Sequence, residues 1–227
     1  GSFDFLYLLI IFMLLTALTL VIAKLRKLKQ ENIQLTLYSK QTSLPNKSFL
    51  LQSVEKSPAL FPIQNMTLLY IDIDNFKNIN ELKGFDFSDL LLSKVGERLT
   101  ALSKPKGQVY HMNQDEFVVL FTNTPRKGIG EIMAINILAG FKDSFEIAGN
   151  LIYLNLSIGI VDHPSSNDNM QQVITAAEAA MYHAKQTGKD RYVVFNLSLR
   201  QAIKNETRIQ NHLRQAIEQD EFEIYYQ

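Results

Sequence analysis

The chain has 227 residues, 46% of them hydrophobic, which is enough for one domain of ordinary size with length left over for appendages. Its formal net charge is zero and no basic block runs through its body, so the electrostatic footprint of a nucleic-acid binder is missing. The absence of cysteine excludes disulfide frameworks, thiolate metal sites and cysteine nucleophiles, and it suits a reducing cytoplasm.

Gly1-Ser2 reads as a cloning remnant and stands outside the fold reasoning. Residues 5–23 carry no charge, and about twenty apolar residues at about 1.5 Å each match a bilayer's hydrocarbon core. Lys24, Arg26, Lys27 and Lys29 follow immediately, the pattern of a cytoplasmic flank. A transmembrane helix over 3–23 is therefore expected, in preference to a buried core helix or a secretory signal, whose basic residues would precede the apolar run. Val21, Leu25, Leu28, Asn32 and Leu35 then recur at steps of four and three, a short heptad seam with Asn32 as a register-setting polar residue. Over 24–38 this predicts a signalling helix that pairs with a second copy, giving a homodimer; packing on its own domain is the alternative.

Thr42-Ser43-Leu44-Pro45-Asn46-Lys47 breaks the helix, and Asn46 can cap the next one, whose apolar face holds Phe49, Leu50 and Val54. Pro58 and Pro62 bracket a turn. Residues 66–73 form a nearly continuous apolar run, as expected of a central strand buried on both faces. Leu90, Leu91, Val95, Leu99 and Leu102 mark one face of a helix. Residues 108–112 and 116–121 are strand-like and joined by Asn113-Gln114-Asp115, a hairpin signal. A helix over 128–145, a long strand over 151–161, a helix through Met170, Val173, Ile174, Ala177, Met181 and Ala184, and a last strand over 191–195 complete the order. This order predicts an α/β fold, a mixed ferredoxin-like or palm-type sheet flanked by helices and preceded by a long N-terminal helix.

Two acidic clusters stand out: Asp72-Ile73-Asp74 at the end of the central strand and Asp115-Glu116 at the hairpin tip. Hard carboxylates held together are what bind Mg²⁺. Each feature also admits a plainer role. Asp72 and Asp74 can cap a helix at Asn75, Asn80 and Asp89 can be ordinary surface residues, and Lys185 and Lys189 can be a solvated helix end.

Asp72-Ile73-Asp74-x-Phe76-Lys77-x-Ile79-Asn80, Gly84, Asp89-x-Leu91-Leu92, Asp115-Glu116-Phe117 and Ala184-Lys185-x-x-Gly188-Lys189 resemble, in order and spacing, the signature of the diguanylate cyclase (GGDEF) family. Leu44-Pro45-Asn46-Lys47 resembles its opening motif, so the resemblance covers 39–196. Residues 197–227, with Leu213-Arg214-x-Ala216-Ile217 and Phe222-Glu223-Ile224-Tyr225-Tyr226-Gln227, look like a linker and the start of an EAL phosphodiesterase domain. The resemblance implies a bacterial signalling protein, and with the apolar run and its basic flank the expectation is an inner-membrane protein with this domain facing the cytoplasm. It implies a reaction in which two GTP molecules on facing domains are joined into cyclic di-GMP by in-line phosphoryl transfer. Asp72, Asp115 and the Ile73 carbonyl match the metal-ligand positions, for Mg²⁺, with Glu116 beside them. Asn80 and Asp89 match the guanine-reading positions, with Phe76 and Lys77 in the same nucleotide-binding motif. Lys185 and Lys189 match the basic positions that face the phosphates, although Lys189 stands for the more usual arginine and loses its bidentate geometry.

Departures gather at the hairpin. Asn113 and Gln114 replace paired glycines, and their side chains are expected to fill space that phosphate and ribose need. Phe85 stands for a histidine, Ser88 for a glycine, Glu81 for an aspartate, Ser43 for a glycine and His111 for an arginine. Lys104-Pro105-Lys106-Gly107 takes the place of the product-inhibition motif. The expectation is a catalytically silent regulatory domain that retains GTP binding and controls an EAL domain. An active cyclase and a ligand-free dimerising spacer are the alternatives.

Overall fold

The computed structural model describes residues 2–124 and 127–218, and within these the side chains of 2–11, 30–32 and several positions after 205 are left undescribed. The Phe222 to Gln227 strand motif therefore lies outside the described residues, as do the side chains of Leu213, Arg214, Asn32 of the heptad seam and the first half of the apolar run.

A single helix α1 (Ser2–Leu37) runs through the apolar segment and the basic cluster. Among the described residues no helix is long and apolar enough to cross a membrane. The described part of the run starts at Phe12, and the basic residues from Lys24 onward interrupt any window of sufficient length. Val21, Leu25, Leu28 and Leu35 are all exposed in the single chain.

Helix α2 (Lys47–Lys56) starts where expected, with the Asn46 side chain accepting the Phe49 N–H. Two 3₁₀ turns, Pro58–Leu60 and Ile63–Asn65, lead into β1 (Thr67–Ile73), in which every residue is buried. The helical region beyond it is two helices, α3 (Phe76–Lys83) and α4 (Phe85–Ser103), divided at Gly84, whose φ of 83° breaks the helical path. Strands β2 (Gly107–Asn113) and β3 (Glu116–Phe121) form the hairpin, and α5 (Ile129–Gly140) follows.

Two expectations need correction here. The helix expected over 128–145 stops at Gly140, and the strand expected over 151–161 is two strands, β5 (Asn150–Ile152) and β6 (Leu156–Asp162). Between them in pattern lies β4 (Phe145–Ile147), which pairs with β5 as a small separate hairpin turning at Ala148 and Gly149, both at positive φ. Leu151 and Tyr153 supplied the apolar signal for a long strand yet are exposed, because the β4–β5 hairpin projects from the main sheet. Helix α6 (Met170–Gln186), opened by a capping box between Asn169 and Gln172, strand β7 (Arg191–Val194) and helix α7 (Leu197–Glu218) complete the described chain.

The main sheet has the order β2-β3-β1-β6-β7, antiparallel except for the β6–β7 pair. It is the mixed sheet flanked by helices that the element order implied. Alternation along β1 sends Leu69, Ile71 and Ile73 to one face, against Leu91, Val95 and Leu99 of α4 and Ala134 and Ile137 of α5. Leu68 and Tyr70 go to the other, against Leu50 of α2 and Val173, Ile174, Ala177 and Met181 of α6. Gly159 in β6 lets α6 press on the sheet, since a Cβ there would lie 1.9 Å from the Ala177 carbonyl oxygen.

Candidate functional site

Antiparallel pairing of β1 with β3 sets Asp72 directly opposite Glu116, so the two acidic clusters, 43 residues apart in sequence, meet at one end of the sheet. The Ile73 N–H donates to the Asp115 carbonyl at 3.3 Å, which ties the hairpin tip to the strand end. Asp72 is only 4% exposed and Asp74 6%. Helix α3 starts at the left-handed Asn75 and has no side-chain cap, so Asp72 and Asp74 do not serve as its caps. Asp74 is structural in another way: its carboxylate accepts from the Ser157 hydroxyl at 2.8 Å and from the Asp190 N–H at 3.0 Å. These bonds join β1, β6 and the α6–β7 turn.

Asp72 faces the cluster's cation. Its Oδ1 meets the Lys185 ammonium at 2.7 Å and accepts no other hydrogen bond among the described residues. Burial raises the Asp72 carboxyl above its usual range against the opposing pull of Lys185. Asp115 is pushed up to about 6, first by burial and then by the charge of Asp72. Glu116 is raised by burial and steadied by the Tyr70 hydroxyl, which donates to it at 3.0 Å. Lys185 is held above its usual range: burial opposes its charge, but contact with Asp72 and the fields of Asp115 and Asp74 outweigh that. Asp72, Asp115 and Glu116 thus all resist ionisation, and of the three Asp72 alone is in contact with the Lys185 ammonium. Asp72 and Asp115 supply oxygens suited to a hard cation. Among the described residues no group of three or more acidic or histidine side chains gathers around one point, so a bound Mg²⁺ would draw its other ligands from backbone, water and phosphate.

Beside this cluster lies a cleft of about 520 Å³. The guanine-reading candidates Asn80 and Asp89 line it from α3 and α4, with Phe76 at its floor and Leu92 behind. Asn113 and Gln114 line it from the hairpin, and Gln114 holds a φ of 36° that a glycine would adopt without strain. Phe85 stands at the mouth, 79% exposed. Ser88 is buried and returns its hydroxyl to the Gly84 carbonyl, so it is accommodated within the helix.

Two lysines of the sequence-derived set stand at the rim, Lys77 facing away and Lys189 close enough for its charge to act on Asp72. Lys77 is at the surface, 3.6 Å from Glu81 on the same helix face. Lys189, itself at a φ of 59°, turns its ammonium to the Asn75 side chain at 2.7 Å. Unmarked in the sequence as site residues are Ser39, Gln41 and Asn46, which line the cleft from the segment after α1, and Tyr70, which supports Glu116 from outside the cleft. Tyr70 was findable, since two residues before Asp72 on a strand means the same face. The Ser39 segment was not, because no local pattern says where a helix exit docks.

The profile described as "Diguanylate cyclase, GGDEF domain" matches residues 36–191. The bifunctional diguanylate cyclase/cyclic di-GMP phosphodiesterase MucR of Pseudomonas aeruginosa is 30% identical over 216 residues, covering 94% of this chain and 31% of that protein. The cyclic di-GMP phosphodiesterase PdeR of Escherichia coli is 30% identical over 186 residues, covering 82% of this chain and 28% of its own length. The chain thus spans about three tenths of these curated relatives. Among solved structures, the GGDEF domain of Pseudomonas aeruginosa TpbB (YfiN) superposes with a TM-score of 0.65 at 25% identity, over 74% of this chain and 99% of that one. The coiled coil and GGDEF domain of Caulobacter crescentus DgcB share the fold, with a TM-score of 0.67 at 17% identity over 79% and 96% of the two chains. With the acidic strand end, the hairpin and the intervening cleft all in place, the chain belongs to the GGDEF-domain family of diguanylate cyclases.

Proposed function

We propose that this GGDEF domain holds GTP without converting it to cyclic di-GMP, and that nucleotide occupancy regulates an EAL domain following it in the same protein. The observation that carries this reading is the hairpin: Asn113 and Gln114 put side chains into the lining of the cleft, next to Asp115. A nucleotide whose base lies against Asn80, Asp89 and Phe76 would extend its phosphates toward Lys185 and the acidic cluster. There the two added side chains displace the α-phosphate from the in-line position, and a displacement of about 1 Å costs on the order of a hundredfold in rate. When bound, Mg²⁺ would be held by Asp72 and Asp115, with Ile73 as the backbone donor, and would neutralise phosphate charge. Lys185 must then exchange its contact with Asp72 for one with phosphate. Glu116 stays with Tyr70 beside the reacting groups.

The rest of the reading follows the chain outward. Residues 3–23 anchor the protein in the bacterial inner membrane, residues 24–38 pair two copies through the exposed Leu25, Leu28 and Leu35, and residues from 197 lead to the EAL domain. The names of MucR and PdeR, which speak of cyclic di-GMP phosphodiesterases, support an EAL partner.

The test is incubation of the purified chain with GTP and Mg²⁺, followed by chromatography for cyclic di-GMP and calorimetry for binding. Binding without product is expected, and changing Asn113 and Gln114 together to glycine is expected to bring measurable synthesis. Substantial synthesis by the unaltered chain would establish an active cyclase instead, and no heat of GTP binding would establish a ligand-free spacer.

A further inference from the structure

The cleft has a third wall, built from the segment that leaves α1, and one side chain joins it to the hairpin. His111 is 5% exposed, with its ring stacked on Phe117 at 4.7 Å and 10°. Its Nε2 lies 2.8 Å from the Gln114 carbonyl oxygen. A carbonyl only accepts, so Nε2 carries the proton and donates, and in the neutral ring Nδ1 is left as an acceptor. That acceptor meets the hydroxyls of Ser39 at 2.6 Å and Thr42 at 3.1 Å. Ser39 lies closer to the ring than to its other acceptor, Gln41 Oε1, at 3.2 Å. Main chain reinforces the join: the His111 N–H donates to the Pro45 carbonyl at 2.9 Å, and Asn46 forms a parallel bridge with His111.

We propose that His111 is a positioning residue that couples the exit of α1 to the hairpin tip, so that movement of α1 resets Gln114 and the cleft wall it forms. Both ring nitrogens are used, one toward each side, and the ring is a rigid plane held by Phe117. A shift of Ser39 and Thr42 therefore cannot be absorbed by a rotamer change without losing the bond to Gln114. Gln114 is where such a push would tell, because its φ of 36° is costly for a non-glycine residue and needs an anchor. The strand is irregular at the same place, its register with β3 slipping between His111 and Asn113. Burial draws the His111 imidazole below its usual range, partly offset by the Gln114 carbonyl and the field of Asp89, which favours the neutral ring that this geometry requires. The consequence for nucleotide rests on the function proposed above; the coupling itself is a property of the protein alone.

The experiment is hydrogen exchange, read by mass spectrometry on peptides covering 110–117 of the whole chain, without nucleotide. Ser39→Ala with Thr42→Val, two changes away from the hairpin, is expected to speed hairpin exchange about fivefold, the ratio that one buried hydrogen bond is worth. His111→Phe, which keeps the stack on Phe117, is expected to do the same. All three changes together should give no further acceleration, and His111→Gln, which keeps a donor and an acceptor, should restore most of the protection. Unchanged hairpin exchange in the Ser39/Thr42 variant, or effects that multiply in the triple variant, would overturn the coupling. The Ser39/Thr42 pair decides the matter even where His111→Phe fails to fold. GTP calorimetry on the same proteins separates the two proposals: absent binding by the unaltered chain sinks the nucleotide reading alone.

Discussion

Asp115 carries a charge the fold resists, and neutralising it measures that resistance. Its carboxyl is moved from the usual 3.8 to about 6, by burial first and the Asp72 charge second. An acid whose pKa is higher folded than unfolded binds its proton more tightly in the native state. The contribution of Asp115 to stability is therefore greatest below about pH 4, falls as pH rises from about 4 to about 6, and stays lowered above that. The gap of about two, at about 1.4 kcal/mol for each, sets an upper figure of about 3 kcal/mol. Water reaches this partly exposed side chain and Asp72 shares the titration, which reduces the expected effect to about 1 to 2 kcal/mol. Asp115→Asn keeps the shape and removes the charge. Urea unfolding at about pH 7.5 without divalent ions should show the variant more stable by that amount, and at about pH 4 the two proteins should coincide. Addition of Mg²⁺ should then raise the midpoint of the unaltered chain and leave that of the variant in place. A variant no more stable at the higher pH, or equally favoured at both, would refute the buried-charge account.

Three further outcomes are expected. Gly159→Ala should cost about 3 kcal/mol or more, or prevent folding, because the new Cβ meets backbone atoms of Ala177 and Met181 at 1.9 and 2.3 Å; thermal melting checks it. Lys185→Met should cost about 1 to 3 kcal/mol by leaving Asp72 buried without its cation, and adding Asp72→Asn should recover most of that loss in denaturant unfolding. Gln114→Gly should not incur the roughly 1 kcal/mol that glycine ordinarily costs inside an element, since it relieves a positive φ; equal or greater stability in the same assay is the expected reading.

What the sequence made legible tracks how local each signal is. The seven buried residues of β1 announce themselves as an unbroken apolar run, and the return of the chain through Asn113-Gln114-Asp115 sets β3 beside β2, whereas the pairing of β3 with β1 is long-range and came from the fold. The meeting of Asp72 with Glu116 then follows from antiparallel pairing alone. The β4–β5 hairpin was illegible because strands of three residues carry too few alternations, and the exposed Leu151 and Tyr153 imitate a core pattern. Lys185 and Asp72 are 113 residues apart, and only the parallel docking of β7 beside β6, with α6 crossing between them, brings the lysine to the strand end. The motif pointed to Lys185 by resemblance. Its partner came from the fold.

The same distinction bears on what the departures from the family pattern do. Asn113 and Gln114 face the cleft and change its shape, whereas Ser88 is absorbed within α4 and Glu81 finds Lys77 at the surface. Substitutions that resemble decay when counted along the sequence are therefore unequal in space. The acidic cluster sets the Lys185 ammonium and the Tyr70 hydroxyl beside carboxyls whose ionisation burial opposes, an arrangement that is costly to stability. Asn113 and Gln114 alter the cleft wall, as do Phe85 and His111, and of these Gln114 is joined through His111 to the exit of α1. Under the function proposed above, a domain altered there would report on nucleotide through the helix at its entrance rather than turn it over.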